Sequence, residues 1–316
     1  MTEKEMKLKT GSARIRLETL KMLKWRGYGH LGGAMSIVEL LSVLYNEVLK
    51  YDPKNPDWPE RDYVVLSKGH SGPSLYAALA LHGFFDKEWL YTLNEGGTRL
   101  PSHPDRLKTP GVDATTGSLG QGTSVAAGLG MALRLEKLEN AAEPESSAAA
   151  HENESGAKDA QLPDSGQRVY LIVGDGELNE GQCWEAFQFM AHQRLNEVIV
   201  IIDYNKRQLD GRLEDIITPF DLKKKMESFG FRVLQADGKE ESSILDALTQ
   251  AKQVEDSAVC VLLDTVKAQG VPCYEDKDDC HAPKFDEKAK QALDEVIEEL
   301  EKFVEEGGGQ NVESCR

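Results

Sequence analysis

The sequence predicts an α/β protein with a doubly wound parallel sheet flanked by helices. In the second half of the chain, apolar runs of strand length alternate with helical patterns, which is typical of parallel sheets. A chain of 316 residues with 40% hydrophobic content is also long enough to bury one large core. We therefore expect one domain over residues 1–285, followed by a C-terminal helix and tail over residues 286–316.

The spacing of apolar residues predicts the elements in order. Four helices are expected to wrap the sheet, and a strand precedes His70 in the segment YVVLSKGH. Two buried strands follow, joined by a helix that Asn179 is placed to cap. The predicted helices are Met6–Lys24, Ile37–Leu49, Ser74–His82, Ser124–Leu138, Leu222–Phe229, Ser243–Lys252 and Asp286–Phe303, and the predicted core strands are Val169–Val173, Leu195–Asp203, Arg232–Ala236 and Ala258–Thr265.

One polar segment interrupts this pattern at about residues 140–167. It is rich in Ala, Ser, Glu and Gly and almost free of large apolar residues. Burial of such a segment cannot offset the entropy that ordering it costs. We predict a flexible surface insertion there, and we assign it no chemical role.

The segment from Val169 to Gly211 predicts a site for a metal ion and a diphosphate. Gly174-Asp175-Gly176 ends one buried strand, and Asp203-Tyr204-Asn205 ends the next. A right-handed crossover between the strands places Asp175 and Asn205 at the same edge of a parallel sheet. Carboxylate and amide oxygens are ligands that Mg²⁺ and Ca²⁺ prefer, and the helix after Gly176 offers its positive end to phosphate oxygens.

Composition excludes several classes of function. The 54 acidic and 37 basic residues give a net charge of −17, which argues against a nucleic-acid-binding or anionic-membrane-binding surface. The N-terminus MTEKEMKLKT lacks the apolar core of a signal peptide, and no apolar run approaches the length of a membrane span. The five cysteines form neither a disulfide framework nor a CxxC pair, so we expect a cytoplasmic protein with reduced thiols.

Five motifs, in this order along the chain, resemble the transketolase family of thiamine diphosphate enzymes. They are GHLGG at Gly29–Gly33, LSKGH at Leu66–His70, PSHP at Pro101–Pro104, TTGSLGQG at Thr115–Gly122, and the stretch Gly174–Gly211. The resemblance covers about residues 10–285. It implies a thiamine diphosphate-binding domain of the PP type, with Mg²⁺ or Ca²⁺ as the metal.

The resemblance also assigns roles to individual residues. It implies that three histidines shuttle protons among sugar hydroxyls, that Glu180 reaches a second cofactor site across a dimer interface, and that Arg207 gives only its backbone carbonyl to the metal. The implied catalytic residues are His30, His70 and His103; the cofactor-binding residues are His70, Gly117, Ser118, Leu119, Gly176, Glu180, Asn205 and His281; and the metal ligands are Asp175, Asn205 and Arg207.

The implied activity is transfer of a two-carbon ketol unit between phosphorylated sugars, as in pentose phosphate metabolism. The family activates its cofactor with a glutamate from a second α/β domain, but only 35 residues follow His281. Such a domain needs on the order of 100 residues. We therefore expect the glutamate to come from a separate C-terminal subunit, in a heterotetramer of two copies of each chain (α2β2).

Two other interpretations stay open on the sequence. The α subunit of a 2-oxo acid dehydrogenase shares the metal motif, although the contexts of His30, His70 and His103 argue against it. A non-catalytic cofactor-binding half is the other, although Asp175, Asn205 and the three histidines are all intact. The sequence does not name the sugar.

Overall fold

The computed structural model describes residues 2–142, 166–209 and 211–308, and its centre is a parallel β-sheet. Residues 143–165, which make up most of the predicted insertion, lie outside the described residues. The strands are β1 (Tyr63–Leu66), β2 (Val169–Gly174), β3 (Val198–Tyr204), β4 (Arg207–Gln208), β5 (Gly211–Arg212), β6 (Arg232–Asp237) and β7 (Val259–Asp264).

Five of these strands form the main sheet, in the order β1-β2-β3-β7-β6, and every neighbouring pair is parallel. Strands β4 and β5 form a separate antiparallel hairpin. The helices are α1 (Glu3–Arg26), α2 (Gly32–Met35), α3 (Val38–Val43), α4 (Gly72–Leu81), α5 (Gln121–Ala142), α6 (Gly181–His192), α7 (Leu213–Ile216), α8 (Leu222–Ser228), α9 (Glu241–Ala251) and α10 (Glu287–Gly308). The predicted fold class is confirmed.

The predicted helix Ile37–Leu49 is present as α3, which begins at Val38 because Ile37 has non-helical backbone angles, followed directly by a π-helical turn at Leu44–Val48. One local prediction is wrong. Asn179 does not cap the helix after the metal motif. It lies in a 3₁₀ turn, Gly176–Asn179, which shifts the cap position of α6 to Glu180, and its side-chain amide donates instead to Gln208.

Both faces of the sheet are buried along the central strands β2, β3 and β7, which explains why these strands are almost continuously apolar. Along β2, Tyr170 and Ile172 point into the core under α1, α3, α4 and α9, whereas Val169, Leu171 and Val173 point into the core under α5, α6 and α8. The sheet is thus sandwiched between two layers of helices. None of the described helices is long and apolar enough to cross a membrane.

The last helix packs against the first. Leu293 and Ile297 of α10 are buried in the same core as α1, and Lys21 and Glu301 form an ion pair at 2.6 Å between the two helices. The N–H of Phe285 donates to the carbonyl of Gly27 at the end of α1. These contacts fix the chain just before α10 beside the chain just after α1, and both segments carry a predicted site histidine.

Candidate active site

Four histidines from distant parts of the chain lie together. The ring centre of His30 is 5.8 Å from that of His70 and 5.4 Å from those of His103 and His281, and the rings of His70 and His281 are 5.1 Å apart. The three predicted catalytic histidines and the predicted cofactor-binding His281 therefore form one cluster.

Backbone pairing brings two of these histidines together. The N–H of Leu31 donates to the carbonyl of His281 at 3.1 Å, and the N–H of Gly29 donates to the carbonyl of Pro283 at 3.3 Å. At Gly33, a Cβ atom would lie 2.8 Å from Nε2 of His70, so only glycine allows the imidazole to approach α2 this closely. The GHLGG motif is needed for packing as well as for its histidine.

All four imidazoles are held neutral at pH 7. Burial lowers the pKa of His30, with His103 acting in the same direction, and burial also lowers the pKa of His103. The pKa of His70 lies well below its usual value because of burial and the nearby Lys68, and burial together with Lys267 lowers the pKa of His281 to about 3. A neutral imidazole can accept a proton at one ring nitrogen and donate one from the other.

Asp175 and Asn205 meet at the carboxyl ends of β2 and β3. One oxygen of Asp175 accepts from the N–H of Gly176 at 2.8 Å, and the other accepts from the N–H of Lys206, next to Asn205, at 2.5 Å. Burial raises the pKa of Asp175 to about 7, and Asp203 acts in the same direction. A cation at this edge favours the ionised carboxylate, so metal binding and ionisation support each other.

A second buried carboxylate, Asp203, organises this edge from below. It accepts hydrogen bonds from the Ser36 hydroxyl at 2.7 Å and the Asn205 amide at 2.9 Å, and also from the Lys68 ammonium and the Thr265 hydroxyl. Burial alone would raise the pKa of Asp203, but Lys68 and these hydrogen bonds outweigh burial and leave the pKa below its usual value.

Asp203 also sets the orientation of the amide of Asn205. An ionised carboxylate only accepts hydrogen bonds, so the Asn205 nitrogen must face Asp203. The amide oxygen then faces the other way, where it accepts from the N–H of Arg207 at 3.1 Å. Sequence reasoning identified Asn205 but missed Asp203, which holds it, and Lys68, which pairs with Asp203.

The Arg207 side chain has a structural role that sequence reasoning did not give it. It is buried and donates to the Asp276 carboxylate at 2.6 Å, to the Asp276 carbonyl at 2.6 Å and to Asp278 at 2.5 Å. The arginine thereby ties the turn after β3 to the segment that leads to His281. The resemblance gave Arg207 a role only through its backbone carbonyl, and these side-chain hydrogen bonds correct that expectation.

The predicted cofactor loop, Gly117 to Leu119, lies beside the histidines. Gly117 has a φ of 153°, and a Cβ atom there would lie 3.3 Å from Cβ of His103. Ser118 is exposed and Leu119 is half-buried. Glu180 is exposed and lies against Gly120, because a Cβ atom at Gly120 would be 3.0 Å from the Cβ of Glu180. The loop, the histidine cluster and the end of the 3₁₀ turn thus form one continuous surface.

Another acid that sequence reasoning missed, Glu177, lies beneath this surface. It is buried and accepts from the Ser67 hydroxyl at 2.5 Å and from the N–H groups of Gly120 and Gly174 at 2.8 and 3.1 Å. Burial raises its pKa, and these three hydrogen bonds oppose the rise. No motif in the sequence pointed to it, because its partners are a hydroxyl 110 residues away and two backbone N–H groups.

The polar groups at this edge fit a metal and a diphosphate. Nδ1 of His281 and the hydroxyl of Ser71 are buried without a hydrogen-bond partner, and the buried Lys267 ammonium donates to the carbonyl of Gln208. Within the described ranges no group of three or more His, Cys, Asp or Glu side chains is placed to hold a metal. A metal here therefore needs amide and backbone oxygens beside Asp175, which is the donor set that hard cations accept.

Comparison with known proteins now decides the family. Residues 9–298 match the family described as "Transketolase, thiamine diphosphate binding domain". The chain belongs to the transketolase family. It is 41% identical over 302 residues to 6-deoxy-6-sulfo-D-fructose transketolase subunit SqwG of Clostridium sp. (strain MSTE9), covering 96% of this chain and 99% of that protein. It is 37% identical over 273 residues to a subunit of the apulose-4-phosphate transketolase of Actinobacillus succinogenes, covering 86% of this chain and 88% of that protein.

Solved transketolases agree in fold. The transketolase of Campylobacter jejuni aligns with a TM-score of 0.75 and 28% identity, covering 96% of this chain and 47% of that one. The chain thus spans less than half the length of that transketolase, but nearly the full length of its relative SqwG. The prediction of an N-terminal, thiamine diphosphate-binding subunit of a split transketolase is confirmed, and the 2-oxo acid dehydrogenase alternative is not favoured.

Proposed function

We propose that this transketolase chain binds thiamine diphosphate and Mg²⁺ (or Ca²⁺) at the carboxyl edge of its sheet and transfers a ketol unit from a ketose phosphate to an aldose phosphate. The observation that carries the proposal is the cluster of four imidazoles, with His70 after β1, at the sheet edge where Asp175 follows β2 and Asn205 follows β3. When bound, the cofactor supplies the electron sink for cleavage of the carbon–carbon bond.

The metal ligands are Asp175, the amide oxygen of Asn205 and the backbone carbonyl of Arg207. Gly176 and the imidazoles of His70 and His281 hold the diphosphate, and the unpartnered Nδ1 of His281 supports its role. The Gly117-Ser118-Leu119 loop receives the aminopyrimidine, and exposed Glu180 is directed to a neighbouring cofactor site in the assembly.

The remaining histidines face the sugar. His30 and His103, whose rings are 5.4 Å apart, hydrogen-bond the hydroxyl groups of the ketose and move protons to and from them, with His70 completing the set. Their lowered pKa values keep these rings neutral, so each one is ready to accept a proton at neutral pH.

A separate C-terminal subunit supplies the glutamate that activates the cofactor, in a complex with two copies of each chain. The names of the two relatives as subunits support a partner. Those names add two sugars, apulose-4-phosphate and 6-deoxy-6-sulfo-D-fructose, to the ketose phosphate of the substrate panel, and all three are ketoses with an anionic group.

Calorimetric titration tests the cofactor site. In the complex with the cognate C-terminal subunit, thiamine diphosphate with Mg²⁺ should bind the wild type and should not bind Asp175→Ala, which removes a charged ligand rather than core packing. Asp237→Ala is the matched control, because Asp237 is an exposed acid at the same sheet edge but two strands away from β3. Wild-type affinity in Asp175→Ala contradicts the assignment.

A further inference from the structure

Glu177 takes no part in the chemistry described above, yet it is only 2% exposed and all three of its hydrogen bonds go to parts of the site. The hydroxyl of Ser67 belongs to the segment that follows β1, the N–H of Gly120 to the cofactor loop, and the N–H of Gly174 to the end of β2. One side chain therefore connects three separate segments just below the proposed cofactor surface.

The cofactor loop has two anchors, and Glu177 is one of them. The hydroxyl of Thr116 donates to the carbonyl of Leu66 at 2.7 Å on one side, and the N–H of Gly120 donates to Glu177 on the other. The residues between the anchors are Gly117, Ser118 and Leu119. Glu177 also lies in the 3₁₀ turn Gly176–Asn179, two residues after Asp175. We call Asp175 and this turn the metal turn, so Glu177 belongs to the metal turn and is hydrogen-bonded to the cofactor loop.

We propose that Glu177 is a positioning residue that sets the distance between the metal turn and the cofactor loop. Thiamine diphosphate has to place its diphosphate at the first and its aminopyrimidine at the second, so its binding depends on that distance. A ligand that reaches only the metal turn does not depend on it. The inference rests on the proposed function, because it concerns how that function's cofactor is received.

A carboxylate is required by this geometry. Both oxygens accept hydrogen bonds, one from Ser67 and Gly120 and the other from Gly174. In Glu177→Gln one oxygen becomes an NH₂ group, which cannot accept a hydrogen bond from any of these donors. The variant keeps the volume of the side chain but loses part of this set of three hydrogen bonds.

The chain offers a matched control at the opposite edge of the same strands. Asp62 is 4% exposed and accepts from the N–H groups of Lys50 and Arg168 at 2.9 and 2.8 Å, just before β1 and β2 begin. Asp62→Asn makes the same chemical change in another buried carboxylate that joins separate segments by hydrogen bonds, at the edge of the sheet away from the site. It reports what loss of stability alone does to ligand binding.

The test compares two ligands by calorimetry, in the complex with the cognate C-terminal subunit. Relative to the wild type, Glu177→Gln should bind thiamine diphosphate with Mg²⁺ about 10–100-fold more weakly, the loss expected for one hydrogen bond to a charged group. Its affinity for Mg²⁺ with inorganic pyrophosphate should change by less than about twofold, as should both affinities of Asp62→Asn.

Three results overturn the inference: unchanged thiamine diphosphate affinity in Glu177→Gln, equal weakening of both ligands, or the same selective loss in Asp62→Asn. Should Glu177→Gln fail to fold, Ser67→Ala removes one donor only and should show the same selectivity at about 3–10-fold; no selectivity there also overturns it. Failure of the wild type to bind thiamine diphosphate instead rejects the proposed function, and this inference with it.

Discussion

Replacing Lys68 with Met perturbs the buried charge beneath the site. The side chains of Lys68 and Asp203 are 1% and 0% exposed, and Asp203 has no other ion-pair partner within the described ranges. Loss of one partner leaves an uncompensated buried charge, which costs about 3–5 kcal/mol. Because domains are stable by only about 5–15 kcal/mol, Lys68→Met should lose a large share of its free energy of unfolding.

Urea unfolding of four variants, Lys68→Met, Asp203→Asn, their combination and the control Lys224→Met, measures this loss. Lys224→Met makes the same substitution in a solvent-exposed ion pair, whose side chains are 81% and 49% exposed, and should lower the free energy of unfolding far less than Lys68→Met does. Lys68→Met/Asp203→Asn also removes the Asp203 charge, which Lys68→Met leaves unpaired. The double variant should therefore be more stable than Lys68→Met alone, with a coupling energy of about 0.5–3 kcal/mol between the two sites. A Lys68→Met variant as stable as Lys224→Met, or a double variant that loses the sum of both single costs, would refute the reasoning.

Three further outcomes follow from the site and its surroundings. His30→Ala and His103→Ala should keep metal and cofactor binding but lower turnover by about 10²-fold or more, which is the contribution of a proton-transfer group. Unchanged steady-state rates would show that both residues are structural. Arg207→Met should lower the free energy of unfolding by about 1–2 kcal/mol in urea, because its hydrogen bonds to Asp276 are partly buried, and an unchanged value argues against the tie. Burial lowers the pKa of His82 in the folded state. The stability that His82 contributes is therefore present above its unfolded pKa of about 6.5 and is lost as the pH falls. His82→Phe should lose less stability than the wild type between pH 7 and pH 5, and equal losses in the two proteins would contradict this.

Much of the fold follows from local patterns in the sequence. The apolar runs at Val169–Val173 and Ala258–Thr265 predicted β2 and β7 to within a residue or two, because strands buried on both faces must be continuously apolar. The crossover rule placed Asp175 and Asn205 at one edge, where the N–H of Lys206, the residue after Asn205, donates to Asp175. Local sequence was sufficient for these strands but not for the 3₁₀ turn that moves the cap of α6 from Asn179 to Glu180.

The support of the site could not be predicted in this way. Lys68 and Asp203 are 135 residues apart, and a lysine is normally a solvated residue, so neither residue type suggested a buried ion pair. Glu177 was hidden for the same reason, since Ser67 lies 110 residues from it. These residues are identified only when the packed structure shows what each buried charge contacts.

Reconstitution of the two subunits tests whether this chain is one half of a ketol-transferring enzyme. Ketol transfer from a ketose phosphate to an aldose phosphate is measured with thiamine diphosphate and Mg²⁺, first with the purified chain and then after addition of the cognate C-terminal subunit. We expect no turnover from the chain alone and turnover from the mixture. Turnover by the isolated chain, shown by mass spectrometry to be free of any partner, would contradict the claim.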